Sequence, residues 1–387
     1  MNIEILKAEF IKLYGKGENN PSVYFAPGRV NLIGEHTDYN GGYVFPCALS
    51  FGTYLVVRKT DDDLIKFASS NFSFKASINI TNIAIKQGSH WINYPLGVMN
   101  EFIKEGVSLT GMELLFSGNV PSGAGLSSSA SVEVVTAFAL NDIFKLGLNG
   151  IELAKTGQRA ENIFVGVNCG IMDQFASSMG RKNAAIFLNC DTLDFDWVPV
   201  LLKGYRLVIA NTNKHRELAV SKYNERRSEC EKAVAYISQR KKIKNLGELS
   251  YEEFLELQNA IPEENVLKRA RHVVTEIKRT KDAVNELKAG HLVKFGELMN
   301  GSHDSLRDDY EVTGIELDTL VEEARKIPGV IGSRMTGAGF GGCTVSLVRE
   351  DAIEGFIEVV GKNYKAKIGH EADFYVADIG DGAKKHE

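Results

Sequence analysis

The chain has 387 residues, of which 44% are hydrophobic and 25% charged, and its formal net charge is −5. These values are typical of a globular protein of roughly two or three domains, and the acidic balance speaks against nucleic acid as a partner. The five cysteines form no C-x-x-C pair. This disfavours a disulfide framework or a zinc ribbon and favours free thiols in a reducing compartment.

The N-terminal segment predicts an amphipathic helix rather than a targeting sequence. Its apolar residues share one helical face: Ile3, Leu6, Phe10 and Leu13. No basic start is followed by a continuous apolar stretch, and no apolar run approaches the length of a membrane span. We therefore expect a cytoplasmic protein without a membrane partner.

The first half of the chain is predicted to be mixed α and β. Strands are expected at Val23–Ala26, Val30–Ile33, Tyr43–Leu49, Thr53–Arg58, Met112–Phe116, Ala184–Leu188 and Tyr205–Ala210. Helices are expected at Val132–Lys145 and Ile151–Ile163.

The second half begins with long, charged helical patterns and ends with strands. The expected helices are Glu217–Arg240, Glu252–Asn259 and Val266–Leu287, and the expected strands are Cys343–Val348 and Ala372–Ala377. We place a domain boundary between residues 205 and 206, which divides the chain into 1–205 and 206–387. The C-terminal DGAKKHE is expected to be frayed.

The segment PSGAGLSSSAS, Pro121–Ser131, follows a predicted strand and opens a predicted helix. Its glycines allow close backbone approach, and a helix start carries partial positive charge and unpaired N–H groups. A plain helix cap is the alternative, because serine is a common cap. Two glycines followed by three serines favour a phosphate site. The segment lacks the ending of a Walker A loop, and the chain lacks the H-R-D and D-F-G motifs of protein kinases.

A second glycine-rich segment, TGAGFGGC at Thr336–Cys343, formally contains G-x-G-x-x-G. A dinucleotide fingerprint needs a helix after the glycines, but the following CTVSLV predicts a strand. We therefore expect a tight turn whose backbone packs against a ligand or another loop.

The third segment, APGRVNLIGEHTDYNGG, places Arg29 and Asn31 on one face of a predicted strand. Glu35, His36 and Asp38 crowd the following turn. Such a dense set of donors and acceptors suits sugar hydroxyls. His36 and Asp38 also have the spacing of metal ligands, but no cysteine or second histidine completes such a site.

In this order the three segments resemble the GHMP superfamily of small-molecule kinases, and GRVNLIGEHTDYNGG is similar to the galactokinase signature in particular. Glu161, followed by VGVNCGIMDQFAS with Asp173 inside it, and the later SHDSLRDDYEVTGIELD also resemble galactokinases. The similarity runs from about Ala26 to Val348. The sequence departs from the galactokinase pattern at TGIELD, Thr313–Asp318, where many relatives carry a cysteine-containing variant. This segment lies outside the catalytic motifs, so we expect no change of reaction.

The resemblance implies an α+β fold of two domains, the N-terminal one similar to ribosomal protein S5 and the C-terminal one ferredoxin-like. The N-terminal domain would carry the sugar signature and the phosphate-binding loop, and the active site would lie between the domains. The implied reaction transfers the ATP γ-phosphate to the anomeric hydroxyl of D-galactose. It gives galactose 1-phosphate and ADP, the first step of galactose catabolism. ATP would be the co-substrate and Mg²⁺ the cofactor, and we expect a monomer.

The resemblance also implies roles for particular residues. Asp173 would face the anomeric hydroxyl as general base or positioning group, with Arg29 beside it. The sugar would contact Glu35, His36, Thr37, Asp38, Gly170 and Tyr223. The nucleotide would contact Ser69, Gly123, Ala124, Gly125, Leu126, Ser127, Ser128 and Ser129. Mg²⁺ would be held by Ser129 and Glu161.

Two alternatives stay open at this point. Another sugar kinase of the superfamily, such as an N-acetylgalactosamine or arabinose kinase, would share most motifs, although HTDYNGG favours galactose. A non-catalytic sugar sensor that regulates transcription would keep both pockets but lose parts of the serine-rich loop. The complete SSSAS and the presence of Arg29, Glu161 and Asp173 favour an enzyme.

Overall fold

The computed structural model describes residues 2–120, 125–214 and 219–386. Its helices are α1 (Ile3–Tyr14), α2 (Asn93–Lys104), α3 (Ser128–Ile143), α4 (Gly150–Arg159), α5 (Met172–Met179), α6 (Ala219–Ile237), α7 (Tyr251–Leu257), α8 (Glu264–Lys288), α9 (Leu292–Ser305), α10 (Gly314–Arg325) and α11 (Ile353–Ile368). Its strands are β1 (Ser22–Asn31), β2 (Tyr43–Val44), β3 (Pro46–Lys59), β4 (Leu64–Ser69), β5 (Ala76–Asn79), β6 (Met112–Gly118), β7 (Ala184–Asn189), β8 (Phe195–Pro199), β9 (Tyr205–Asn211), β10 (Val330–Thr336), β11 (Cys343–Arg349), β12 (Asp373–Ala377) and β13 (Lys384–His386).

The first sheet has six strands in the order β13–β1–β3–β6–β4–β5. β1 and β3 run antiparallel, and their register shifts between Pro27 and Arg29. The two strands predicted at 23–26 and 30–33 are therefore one bulged strand, which ends at Asn31. α2 and α3 cover this sheet and bury an apolar core that includes Phe67, Phe102 and Leu114.

A second sheet of four antiparallel strands has the order β10–β11–β9–β12. α10 and α11 pack through a core that includes Leu320, Phe356 and Val360. A small third sheet, β2–β7–β8, lies beside the first. One apolar cluster joins residues of both halves, among them Phe45 and Val345. This shared core holds the serine-rich segment and the sugar signature next to the second half of the chain.

The sheets bear on the domain boundary. β9 begins at Tyr205 and pairs with β11 and β12, so the boundary that we propose between 205 and 206 falls after the first residue of this strand. β13 pairs with β1, so the chain returns to the first sheet at its end. The expectation of a frayed DGAKKHE tail is wrong, because the edge of β1 offers its unpaired backbone groups to residues 384–386.

The structure also tests two other predictions made from the sequence. TGAGFGGC is the turn of a β10–β11 hairpin, in which Thr336 pairs with Cys343, and the rejection of a dinucleotide fingerprint is confirmed. The helix predicted at 217–240 is α6, Ala219–Ile237, and the first two predicted residues lie outside the described ones. No helix within the described ranges combines the length and apolar character needed to cross a membrane.

Candidate active site

Arg29 and Asp173 form a bidentate ion pair at the centre of the site. Arg29 follows the bulge in β1, and Asp173 lies in the first turn of α5. The Nε and Nη2 atoms of Arg29 each donate to one oxygen of Asp173 at 2.8 Å. Burial alone would lower the pKa of Arg29, but the Asp173 and Glu35 carboxylates outweigh it and raise the pKa. The guanidinium is therefore a fixed positive charge beside Asp173.

The serine-rich segment is tied directly to this pair. Ser127 donates from Oγ to Oδ2 of Asp173 at 2.5 Å, and Arg29 Nη1 donates to the Gly125 carbonyl at 2.9 Å. Ser127 has a φ of 61°, in the left-handed region that serine rarely adopts. Such backbone strain persists where the surroundings impose it, commonly at functional sites. Gly123 and Ala124, expected to contact phosphates, lie outside the described residues.

The turn after β1 is held by buried hydrogen bonds. Glu35 Oε1 accepts from the Gly337 N–H at 2.7 Å and from Arg334 Nη1 at 3.3 Å. The Thr37 hydroxyl lies 3.0 and 2.7 Å from the carbonyl oxygens of Gly34 and Tyr43. The Thr37 side chain thus stabilises the turn and does not line the cavity beside it, unlike its expected sugar-binding neighbours.

A cavity of about 220 Å³ brings most of the expected sugar and catalytic residues together. Its volume suits a ligand smaller than a typical drug. The expected residues in its wall are Arg29, Glu35, His36, Asp38, Glu161, Gly170, Asp173 and Tyr223. The wall also contains Tyr39, Gly337 and Ala338, which were not expected there. Tyr39 could have been found from its place directly after Asp38, and the other two from the TGAGFGGC turn.

Asp38 is enclosed by groups that disfavour its charge. Burial raises the pKa of Asp38 to about 7, and the carboxylates of Asp173 and Glu35 add to the effect. Gly170 approaches this carboxylate so closely that a Cβ at position 170 would overlap it. Asp38 therefore lies in a tight, electronegative corner of the cavity, where hydroxyl donors of a ligand would stabilise its anion.

His36 is a neutral imidazole within an aromatic cluster. Burial, together with the nearby His272, lowers its pKa to about 3. Its Nδ1 lies 2.8 Å from the Tyr39 hydroxyl, and its ring centroid lies 4.7 Å from that of Tyr310 and 5.7 Å from that of Tyr223. The ring can therefore contribute to the cavity wall only as a polar, uncharged group.

A second group of carboxyls lies behind Asp173. Gln174 donates from Nε2 to Glu161 at 2.7 Å and to Glu133 at 2.9 Å. Burial, reinforced by Asp173, raises the pKa of Glu161 to about 7, and a hydrogen bond from Ser129 opposes that rise. Glu133, which the motifs did not single out, is fully buried and its pKa is raised by burial and by Glu161. A cation beside Glu161 would favour the ionised form of this carboxyl, which burial and Asp173 disfavour, so the site suits a cation.

The donors available for that cation are hard oxygens. Ser129 lies in the first turn of α3, and Glu161, on the π-helical segment after α4, is within hydrogen-bond reach of its side chain. Among the described residues, no group of three or more His, Cys, Asp or Glu side chains is placed to hold a metal ion. Two protein oxygens with phosphate oxygens and water are typical of Mg²⁺ in phosphoryl-transfer sites. The residues present therefore fit Mg²⁺.

A further cavity of about 290 Å³ adjoins the start of α3. Ser69, Ser128 and Ser129 lie in its wall, so the structure brings Ser69 to the serine-rich segment. The opposite side is aromatic and includes Phe72 and Trp91, whose rings stack with centroids 6.3 Å apart. An apolar slot with aromatic walls next to a helix start suits a nucleotide base. No sequence motif marked these aromatic residues.

Comparisons with known proteins cover nearly the whole chain. Residues 8–59 match the galactokinase galactose-binding signature, 93–181 the N-terminal domain of GHMP kinases and 283–366 their C-terminal domain. A galactokinase of Clostridium beijerinckii is 54% identical over 387 residues, which cover 99% of each chain. A galactokinase of Fusobacterium nucleatum is 55% identical over 381 residues, which cover 97% of each chain.

Comparisons with solved structures agree with these sequence matches. The structure of Lactococcus lactis galactokinase complexed with galactose is 46% identical, with a TM-score of 0.97 over 99% of this chain and 100% of that chain. A mevalonate kinase structure has a TM-score of 0.66 at 19% identity, over 93% of this chain and 99% of that chain. The second likeness shows a shared fold alone.

Proposed function

The chain belongs to the galactokinase family of the GHMP kinases, and from that premise we propose that it transfers the ATP γ-phosphoryl group to the anomeric hydroxyl of D-galactose. The products are galactose 1-phosphate and ADP. The two-domain α+β fold and the assignment as an ATP-dependent sugar kinase are confirmed. The observation that carries the proposed chemistry is the Arg29–Asp173 pair. It lies in the wall of the polar cavity and is bonded to the serine-rich segment.

The polar cavity would bind galactose. Glu35 and Asp38 supply acceptors, while His36 and Tyr223 supply polar groups on uncharged rings. A buried group that bonds a hydroxyl in one orientation loses its partner when the hydroxyl is epimerised, at about 1–3 kcal/mol for each unpaired group. The crowded corner at Asp38 therefore supports discrimination between galactose and glucose, its epimer at carbon 4.

Asp173 would accept or orient the anomeric hydroxyl. Its Oδ2 accepts from both Arg29 Nη2 and Ser127, whereas Oδ1 accepts from Arg29 Nε alone among the residues that the structure describes. Each carboxylate oxygen has two lone pairs, so Oδ1 keeps one free for the sugar hydroxyl. Arg29 holds the Asp173 carboxylate in place through two hydrogen bonds and adds positive charge where the transferring phosphoryl group gathers negative charge.

ATP would lie across the start of α3. The segment Gly125–Ser129 would contact the phosphates, and the aromatic slot with Ser69 would hold the base. Ser129 and Glu161 would hold Mg²⁺, which when bound neutralises charge on the phosphates. Glu161 lies between two other carboxyls, so a cation there removes an existing repulsion.

The assembly state and location stay predictions. We propose a cytoplasmic monomer, and light scattering on the purified protein tests the first part. A mass twice that of the 42.6 kDa chain would contradict it.

A panel of acceptors with Mg-ATP tests the proposed function. The panel contains galactose, glucose, arabinose, N-acetylgalactosamine and mevalonate, and ADP release gives kcat/KM for each. We expect galactose to exceed glucose by about a hundredfold or more. The matched control is Asp173→Asn, which keeps the shape of the side chain and removes its charge. A preference for another acceptor would contradict the substrate, and full activity of Asp173→Asn would contradict the site.

A further inference from the structure

A chain of polar contacts runs from the sugar cavity into the interior of the second half of the protein. His36 Nδ1 lies 2.8 Å from the Tyr39 hydroxyl, and that hydroxyl lies 2.7 Å from the Tyr310 hydroxyl. The Tyr310 hydroxyl in turn lies 3.2 Å from Cys230 Sγ on α6. Tyr310 ends the π-helical turn after α9 and is fully buried. Residues far apart in sequence therefore converge on one side of the His36 ring.

The chain has two possible donor orders, and they differ at His36. If Cys230 donates to Tyr310, Tyr310 to Tyr39 and Tyr39 to Nδ1, the His36 proton lies on Nε2. The reverse order places the proton on Nδ1 and makes the thiol sulfur the last acceptor.

The contacts through Tyr39 and Tyr310 are the ones that can fix the proton of the His36 ring. Nε2 is buried and has no hydrogen-bond partner among the described residues. Either donor order assigns the His36 proton to one ring nitrogen, so the tautomer depends on the hydroxyls of Tyr39 and Tyr310.

We propose that Tyr310 is a positioning residue for sugar recognition, because its hydroxyl, backed by Cys230, fixes the Tyr39 hydroxyl and so holds His36 in one orientation and one tautomer beside the sugar. The inference rests on the proposed galactokinase activity and extends it to a residue that does not line the cavity. Tyr310 also packs its ring against His36 and His272, with centroids 4.7 and 4.5 Å apart. A phenylalanine at position 310 would keep these ring contacts and remove the hydroxyl alone.

The test compares wild type with Tyr310→Phe in steady-state kinetics. We expect the KM for galactose to rise about five- to tenfold, as for one lost hydrogen bond, with kcat and the KM for ATP within about twofold of wild type. Cys230→Ala should raise the galactose KM in the same direction. Cys230→Ser, which keeps a donor and an acceptor, should raise it less than Cys230→Ala does.

A second readout needs no turnover. In ¹⁵N-histidine-labelled protein, His36 is assigned by comparison with His36→Asn. The wild-type spectrum should show His36 protonated on a single ring nitrogen, and Tyr310→Phe should show a mixture of tautomers. If wild type failed to phosphorylate galactose, the proposed function would fall, and the tautomer comparison would still decide whether Tyr310 fixes His36.

Tyr24→Phe is the matched control. Tyr24 is also fully buried, donates from its hydroxyl to Asp142 at 2.7 Å and lines neither cavity. The Tyr24→Phe substitution should lower the melting temperature without changing the galactose KM. Two results would overturn the proposal: a galactose KM and a His36 tautomer in Tyr310→Phe equal to wild type, or equal rises in galactose KM for Tyr310→Phe and Tyr24→Phe.

Discussion

Replacing Gly170 with alanine tests whether the Asp38 carboxylate recognises the sugar. The new Cβ would overlap the Cγ and Oδ2 atoms of Asp38 and would lie 2.8 Å from Oδ1. Non-bonded heavy atoms settle at about 3.5–4.0 Å, so the carboxylate would have to retreat by about 1 Å or more. The clash involves the end of a side chain rather than backbone, so the protein should still fold.

The displacement of the Asp38 carboxylate determines the expected loss of kcat/KM. A hydrogen bond of ordinary length that is stretched by about 1 Å no longer counts as one. Each bond to a charged acceptor contributes about 1.5–3 kcal/mol. Losing one such bond lowers kcat/KM for galactose by roughly 10- to 150-fold, at about 1.4 kcal/mol for each factor of ten. Glucose should lose less, so the galactose-to-glucose ratio should fall.

The assay is the initial rate of ADP release with each sugar at saturating Mg-ATP. Gly355→Ala on α11 is the control, because no atom outside the adjacent residues and the nearby backbone of the helix lies within 4 Å of its added Cβ. It should leave both sugars unaffected. A folded Gly170→Ala protein that kept galactose kcat/KM within about threefold of wild type would refute the sugar-contact role of Asp38.

Three further predictions follow from the same geometry. Asp173→Asn should lower kcat by about 10²–10⁴-fold, as expected for the loss of a general base, while the ATP affinity measured by calorimetry stays near wild type. A kcat above a tenth of the wild-type value would contradict this prediction. Ser129→Ala and Glu161→Gln should raise the Mg²⁺ concentration for half-maximal rate more than the galactose KM, and unchanged Mg²⁺ titrations in both would place the metal elsewhere. The unfolding free energy of Asp38→Asn should increase relative to that of unliganded wild type as pH rises. Burial and Asp173 raise the folded pKa of Asp38 from 3.8 to about 7, and the stability of the protonated form is lost as pH rises through 7. Between about pH 5.5 and pH 8 the difference in unfolding free energy should shift by up to about 2 kcal/mol in urea melts, whereas a constant difference would show that the Asp38 pKa is not raised.

Local patterns predicted much of the fold, and long-range pairing accounts for what they missed. The apolar face of α1 buries Leu6 and Phe10 as its spacing predicted. Pro27 and Gly28 read as a break between two strands, whereas the β1–β3 ladder carries the chain through them with a bulge. The polar residues 384–386 have no apolar alternation, and only the free edge of β1 makes them a strand.

The candidate-site residues found from the sequence lie in compact motifs, and those that were missed come together only in the tertiary structure. Arg29, Asp38 and Asp173 carry motif signals and do converge on one cavity. Phe72 and Trp91 reach the proposed base slot from separate loops, and Tyr310 reaches His36 from the π-helical turn after α9. Tyr310 lies within the segment SHDSLRDDYEVTGIELD, but nothing in the sequence distinguishes these three aromatic residues from ordinary packing residues.

The position of the new phosphate tests the central claim most directly. Wild-type protein is incubated with galactose and Mg-ATP, and the product is examined by proton-coupled ³¹P NMR. A phosphate on the anomeric oxygen couples to the single proton on carbon 1 and gives a doublet. We predict this doublet, and we predict that it is absent with Asp173→Asn. A triplet from the two protons on carbon 6, or ADP release without any sugar phosphate, would contradict the account.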